Sequence, residues 1–278
     1  MTPSRIPLAA VVGSPVAHSL SPRLHGYWLR RHGIAGHYIP MDVAQGDLRA
    51  MLDLLPRLGF VGINVTLPHK ETVLGLADIV TDRAALIGAA NTIIFRKDGK
   101  IHADNTDVTG FLASLRQSAP GWNPASGPAA VFGAGGAARA VVAALIEAGA
   151  PEVRIANRTR QRAEALRADM GARIIVADWV QAGAILDGAA TVVNTTSLGM
   201  EGKGELRIPL DALDPSALVT DVVYRPLDTP FLRAAAARGC RTVDGLGMLL
   251  HQAVPGFERW FGKRPEVDAE TRAAVLAP

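Results

Sequence analysis

The chain has 278 residues, 49% hydrophobic and 20% charged, with 29 Lys and Arg against 26 Asp and Glu and a mean hydropathy of +0.18. That length suits two domains or one large one with a real core, and the composition excludes a disordered or membrane-embedded chain. The net charge of +3 is spread without a long block of like sign, which argues against a nucleic-acid partner, and the lone Cys240 excludes an internal disulfide framework and fits a reducing compartment.

In chain order, Ile6 to Val12 follows only Arg5 and runs into Gly13-Ser14-Pro15, so it reads as a first strand rather than a signal core. Ser21-Pro22 then predicts a helix start, with the hydroxyl at the N-cap, Leu24, Tyr27 and Trp28 on the apolar face and Gly33 at the close. His37 to Met41 reads as a strand, Asp47 as the cap of a helix carrying Leu48, Met51, Leu52 and Leu55, and Phe60 to Thr66 as a third strand. Pro68-His69-Lys70-Glu71 is expected to begin another helix, and Lys97-Asp98-Gly99-Lys100 to close a hairpin between Asn91–Phe95 and Ile101–Ala103. A helix over Asp107–Gln117 follows, then a breaker-rich stretch from Ala119 to Pro128 where a domain boundary is expected.

Beyond that stretch the alternation resumes. Strands are predicted at Ala129–Phe132, Glu152–Ala156, Arg173–Val176, Thr191–Thr195, Leu218–Val223 and Arg241–Val243. Helices run up to Glu147, from about Thr159, from Thr229 and from Leu246, the last with a kink at Pro255. The fold class is therefore α/β: an N-terminal domain with a mostly parallel sheet, followed by a doubly wound, Rossmann-type domain. The apolar window Ala129–Ala150 is broken by Arg139, Glu147 and several glycines, so no membrane span is expected and a cytoplasmic location is.

Gly133-Ala134-Gly135-Gly136-Ala137-Ala138 follows a predicted strand and opens a predicted helix, the setting in which such a run lets backbone approach a pyrophosphate at a helix N-terminus. NAD sites usually carry an acidic residue about 20 residues further on, to accept from the ribose hydroxyl. Here the tip reads Asn157-Arg158-Thr159-Arg160-Gln161-Arg162, with no carboxylate and three guanidinium groups. Arginine pairs with a 2′-phosphate that a carboxylate would repel, so the expected cofactor is NADP, with Arg158 foremost and Arg162 one turn on. Arg160 and Arg162 are otherwise cations at a helix N-terminus, where the dipole disfavours them unless an anion joins.

Polar residues of the first domain fall where strands end, the edge at which open α/β sheets bind ligands. Ser19 and Ser21 precede a helix and suit a carboxylate, Asn64 and Thr66 end a strand, Asn91 precedes one, and Asn105-Thr106-Asp107 precedes a helix that Asp107 could also simply cap. Together with Lys70, these segments resemble the shikimate dehydrogenase family. The likeness runs through His18-Ser19-Leu20-Ser21-Pro22, Asn64-Val65-Thr66-Leu67-Pro68-His69-Lys70, Ala90-Asn91-Thr92 and Asp104-Asn105-Thr106-Asp107. It continues through the glycine loop, Asn157-Arg158-Thr159, Asn194-Thr195-Thr196-Ser197, Tyr224, Thr229-Pro230-Phe231-Leu232, and Asp244-Gly245-Leu246-Gly247-Met248 with Gln252.

The resemblance implies NADPH-dependent, reversible reduction of 3-dehydroshikimate to shikimate. It implies that Ser19 and Ser21 hold the substrate carboxylate and that Asn64, Thr66, Asn91, Asp107, Tyr224 and Gln252 contact the ring or its hydroxyls. Lys70 is the implied proton-transfer residue and Asp107 its partner. Gly133, Ala134, Gly135, Gly136 and Ala137 are implied at the pyrophosphate, Asn157, Arg158, Thr159 and Arg162 at the adenosine end, and Asp82, Val222 and Gly245 at other parts of NADP. It also implies a substrate domain of residues 1–110 completed by 246–278, an NADP domain of residues 111–245, and an active-site cleft between them. No metal is expected, since the seven histidines show no ligand spacing. The expected partners are the small-molecule substrate, no nucleic acid and no membrane, in a monomer or homodimer.

Two positions depart from the family pattern: Val108 where glycine is usual after Asp107, and His69 where an aromatic residue often precedes the lysine. The rival readings are a quinate/shikimate dehydrogenase of broader specificity, a reductase of another Rossmann family, and a non-catalytic NADPH-binding sensor, against which the presence of Lys70 and Asp107 counts.

Overall fold

The computed structural model describes residues 6–277, so Arg5 lies outside the described residues. The chain forms two compact units, one reaching Thr106 and resuming at Leu249, the other spanning Asp107–Met248.

In the first unit β1 (Leu8–Gly13) pairs in parallel with β2 (His37–Asp42) and β3 (Phe60–Val65), joined by α1 (Ser21–Arg31) and α2 (Leu48–Leu54). The helices form where the apolar spacing predicts, burying Leu24, Trp28 and Leu29 from α1 and Leu48, Met51 and Leu52 from α2. Then come β4 (Ile79–Val80), α3 (Asp82–Ile87), β5 (Thr92–Phe95) and β6 (Ile101–Asp104), giving the order β2-β1-β3-β5-β6-β4. β5 runs antiparallel to β3 and, across the hairpin at Asp98-Gly99, to β6.

Three local expectations are corrected. Ser21 is not the N-cap of α1 but its first residue; Leu20 is the N-cap, and the Ser21 N–H donates to Ser19 Oγ at 3.3 Å. Asp47 does stand at the N-cap of α2, but its side chain makes no capping bond. Residues 68–71 form a turn leading to a short 3-10 helix, Thr72–Leu76, rather than an α-helix. The Lys70 carbonyl accepts the Ala90 N–H at 2.8 Å, so it is tied to the segment entering β5 and not to a following helical turn.

The second unit begins with α4 (Asp107–Ser118), followed by β7 (Ala129–Phe132), α5 (Gly136–Glu147), β8 (Val153–Ala156), α6 (Arg160–Met170) and β9 (Ile174–Ala177). β10 (Thr191–Asn194), β11 (Leu218–Asp221), α7 (Pro230–Ala237) and β12 (Arg241–Val243) complete it. The six strands are all parallel, in the order β12-β11-β10-β7-β8-β9, so the chain doubles back beside β7 and a crevice opens between the carboxyl ends of β7 and β10. The breaker-rich stretch 119–128 lies inside this unit. The Arg241 guanidinium donates to the Ser118 and Pro120 carbonyls at 2.8 and 2.9 Å, and the Trp122 indole donates to Thr191 Oγ1 at 2.9 Å.

The chain ends in α8 (Leu246–Phe261) and α9 (Ala269–Leu276), and α8 runs as one helix with Pro255 inside it. Phe257 and Trp260 pack with Trp28, Tyr38 and His25 in the first unit, where the Trp260 indole donates to the Ile93 carbonyl at 3.1 Å. Among the described residues no helix is long and apolar enough to cross a membrane.

Candidate active site

The glycine loop lies at the carboxyl end of β7. Gly133 has φ +114°, a conformation that favours glycine, and a Cβ there would stand 2.5 Å from Thr195 Oγ1. Gly135 differs: its φ of −95° suits any residue, and a Cβ built on it would meet no atom within 4 Å. Gly135 is the N-cap of α5 and no side chain caps that helix, the condition in which the N–H groups of a first helical turn take an anion. Ala134 and Gly136 are buried, and Ala137 lies in the first turn of α5.

At the tip after β8, Asn157 Nδ2 donates to the Thr159 carbonyl at 2.8 Å and braces the turn into α6. The three arginines then separate in role. Arg160 pairs with Asp178 at 2.7 Å and Glu164 at 2.9 Å, whereas Arg158 and Arg162 are exposed and make no ion pair among the described residues. Two unneutralised guanidinium groups beside a helix N-terminus suit a phosphate better than a ribose hydroxyl.

In the first unit, polar side chains at the carboxyl end of β3 and its neighbours form one buried lattice. Asn64 Nδ2 donates to the Asn91 carbonyl at 3.1 Å and to Thr92 Oγ1 at 3.3 Å. Asn91 Nδ2 donates to Thr106 Oγ1 at 2.9 Å and to Gln252 Oε1 at 3.0 Å, while its Oδ1 accepts the Thr106 N–H at 2.8 Å. The Thr106 hydroxyl donates to the Gln252 carbonyl at 2.8 Å, which fastens α8 to this edge. Asn64, Asn91 and Gln252 are thus brought together, although they lie far apart in sequence. Thr66 is half-buried beside Gly13, where a Cβ would come within 2.4 Å of Thr66 Cγ2. Ser21 is buried and Ser19 half-buried at the start of α1.

Lys70 is half-buried in the turn after β3, and Asp107 is the buried first residue of α4. His69 is buried, with Nε2 2.8 Å from the Val43 carbonyl, so that nitrogen carries the proton and the ring is pinned away from solvent. Val108 is buried within α4, and no residue other than glycine has a positive φ among those described, so the departure from glycine costs nothing in backbone strain. Tyr224 is half-buried shortly after β11, in the second unit. Gly245 and Val222 meet there, since a Cβ on Gly245 would stand 2.5 Å from the Val222 carbonyl. Asp82 is exposed at the start of α3 in the first unit, whereas the rest of the cofactor set belongs to the second.

One group at the strand ends was missed in the sequence. Asp221 is buried at the end of β11 and accepts from Asn194 Nδ2 at 3.0 Å, the Val223 N–H at 2.9 Å and Thr229 Oγ1 at 2.9 Å. Burial pushes its carboxyl up to about 6 against the lowering effect of these donors. By capturing the Val223 N–H it also ends β11 at Asp221, two residues short of the predicted end. Its signal was Asp at the end of an apolar run with a Thr-Pro helix start eight residues on.

A doubly wound parallel sheet with this glycine loop, together with a second α/β unit carrying a polar lattice at its strand ends, defines a dinucleotide-binding α/β protein with a separate ligand-binding unit. Residues 11–93 match the model for the shikimate dehydrogenase substrate binding domain, residues 121–199 that for shikimate / quinate 5-dehydrogenase, and residues 245–275 that for the shikimate 5'-dehydrogenase C-terminal domain. The chain is 75% identical over 274 residues to a shikimate dehydrogenase (NADP(+)) of Cereibacter sphaeroides, covering 99% of this chain and 98% of that one. Among solved structures, shikimate 5-dehydrogenase from Thermus thermophilus in complex with NADP(H) and shikimate superposes with a TM-score of 0.86 at 39% identity, covering 98% of both chains. Quinate dehydrogenase from Corynebacterium glutamicum in complex with NAD gives 0.89 at 32% identity, over 98% of this chain and 99% of that one. The chain belongs to the shikimate dehydrogenase family.

Proposed function

We propose that the protein catalyses the reversible, NADP-dependent interconversion of 3-dehydroshikimate and shikimate on the way to aromatic amino acids. The observation that carries this reading is the full-length likeness, at 75% identity, to a shikimate dehydrogenase (NADP(+)). The chain's own chemistry supports the choice of cofactor, because Arg158 and Arg162 are exposed without ion pairs among the described residues and a Cβ at Gly135 would meet no atom within 4 Å. Gly133 to Ala137 hold the pyrophosphate, Asn157, Arg158, Thr159 and Arg162 the phosphorylated adenosine end, and Asp82, Val222 and Gly245 further parts of the dinucleotide. The unit reaching Thr106 and resuming at Leu249 binds substrate, and the unit Asp107–Met248 binds NADP.

Ser19 and Ser21 hold the substrate carboxylate, and Asn64, Thr66, Asn91, Tyr224 and Gln252 orient the ring and its hydroxyls. The bound nicotinamide supplies the hydride in reduction and takes it back in oxidation. Lys70 donates a proton to the oxygen on which negative charge develops, and in the reverse direction accepts it from the substrate hydroxyl. Asp107 orients the Lys70 ammonium.

The test follows the absorbance of reduced nicotinamide with 3-dehydroshikimate, in parallel with NADH and with 3-dehydroquinate. Turnover confined to NADPH and 3-dehydroshikimate is the expected result. Comparable turnover of 3-dehydroquinate moves the protein to the broader quinate/shikimate class, and NADPH binding without turnover leaves a sensor.

A further inference from the structure

Tyr38 in β2 is buried, and its ring stacks on the His25 imidazole of α1 with centroids 3.8 Å apart and planes 2° from parallel. His25 is itself fully buried, and neither ring nitrogen has a hydrogen-bond partner among the described residues. It therefore serves through its faces and edges, packed among Trp28, Phe257 and Trp260 with centroids 5.7, 5.7 and 5.8 Å away. The stack directs the phenol, whose hydroxyl donates to Asn64 Oδ1 at 2.7 Å.

Main-chain partners orient the amides of this lattice, the Thr106 N–H that of Asn91 and the Leu249 carbonyl, which accepts from Nε2 at 3.0 Å, that of Gln252. The nitrogen end of the Asn64 amide faces the Asn91 main-chain carbonyl, which can only accept, so its oxygen end faces Tyr38. The second Asn64 Nδ2 hydrogen goes to Thr92 Oγ1, whose own hydrogen goes to Asn91 Oδ1 at 3.1 Å. Asn91 then presents Nδ2 to Gln252 Oε1. A continuous set of hydrogen bonds joins Tyr38 through Asn64, Thr92 and Asn91 to Gln252.

We propose that Tyr38 is a positioning residue for the substrate, whose hydroxyl holds the Asn64 side chain in place and, through Thr92, steadies Asn91 beside Gln252. The inference rests on the assignment of these amides to shikimate under the proposed function. Without the hydroxyl, a buried Asn64 oxygen loses its donor and the side chain is held from its nitrogen end alone.

Tyr38→Phe keeps the ring and its stack on His25 and removes the donor alone. The KM for shikimate is expected to rise about tenfold, with the KM for NADP+ within about twofold of wild type and kcat falling less than KM rises. Thr92→Val removes the next hydroxyl and should show the same split, the double variant being no worse than the more affected single one. A merely structural role would lower the melting temperature and the active fraction while leaving the KM of the folded enzyme in place. A folded Tyr38→Phe enzyme with an unchanged KM for shikimate overturns the proposal, as do single effects that multiply in the double variant. If Tyr38→Phe does not fold, Thr92→Val decides alone, and an unchanged KM there overturns it. Wild-type turnover is measured first: its absence sinks the functional reading and this inference with it, whereas turnover with an unchanged KM in the variants sinks this inference alone.

Discussion

Arg158, Arg160 and Arg162 are of one type within five residues of chain, yet their surroundings give them different work. Arg160 is neutralised by Asp178 and Glu164, while Arg158 and Arg162 remain exposed with no ion pair among the described residues. Replacing Arg158 by Ala should raise the KM for NADPH about ten- to a hundredfold, the worth of a charge-assisted bond, and leave the KM for NADH nearly unchanged. Equal losses with both cofactors in steady-state assays would place the guanidinium elsewhere than at the 2′-phosphate. Lys70→Met should lower kcat by about 10² to 10⁴, the usual contribution of a positioned acid or base, with NADPH affinity by fluorescence titration intact. Retention of kcat would remove Lys70 from the proton path.

Within the β7–loop–α5 element, two glycines one residue apart are present for different reasons. Gly133 combines a φ of +114° with a side-chain oxygen 2.5 Å from where its Cβ would be, so Gly133→Ala should destabilise the protein by about 1 to 3 kcal/mol before any ligand is added. Gly135→Ala has an ordinary φ and open space, so it should melt like wild type and yet bind NADPH more weakly. Calorimetric melts with and without NADPH separate the two outcomes, and a Gly135→Ala variant that binds normally would show that the open space is not the pyrophosphate's. Other elements answered to the same kind of close approach. A Cβ on Gly62 of β3 would stand 2.0 Å from the Trp260 indole nitrogen, a requirement that appears only when α8 is packed against the sheet. Helix α3 carried a legible pair of signals, Thr81 accepting the Ala84 N–H at 3.2 Å and Gly88 at φ +70° behind it, but its six residues are too few for periodicity to reveal it.

At the scale of the whole molecule, acid acts oppositely on the two units. Burial pushes the His25 imidazole of the first unit down from its ordinary 6.5 to about 3, so the unfolded chain binds a proton that the folded unit refuses. The stability this represents is complete above the ordinary value and is lost as pH falls towards the folded one, amounting to about 3 kcal/mol by pH ~4. Asp221 of the second unit is displaced the other way, from 3.8 up to about 6, so the folded unit gains protons first and is stabilised by about 2 kcal/mol over the same fall. Acidification should therefore strip hydrogen-exchange protection from the first unit before the second. His25→Phe, which keeps an aromatic face against Tyr38, should abolish most of that difference. Simultaneous loss of protection in both units, or an unaltered acid transition in the variant, would show that His25 does not govern it.

The alternation of apolar strands and capped helices, the glycine loop in its strand-to-helix setting and the arginine-rich tip were all legible in the sequence, because each depends on residues close together in the chain. Ser19, Ser21, Lys70 and Asp107 stood out there as members of an ordered set of short motifs, the basis on which they are proposed for the site. What the sequence alone could not determine depends on contacts between distant segments. The antiparallel pairing of β5 with β3, the turn at Lys70 and the placement of Asp107–Ser118 with the second unit are outcomes of pairing and packing. The amide lattice joins Asn64, Asn91, Thr106 and Gln252 across 188 positions, from β3 to α8. One end of it is held by a tyrosine stacked on a buried histidine, ordinary core residues until the fold brings them together, because the partners of a buried amide are decided by what surrounds it and not by its neighbours in the chain.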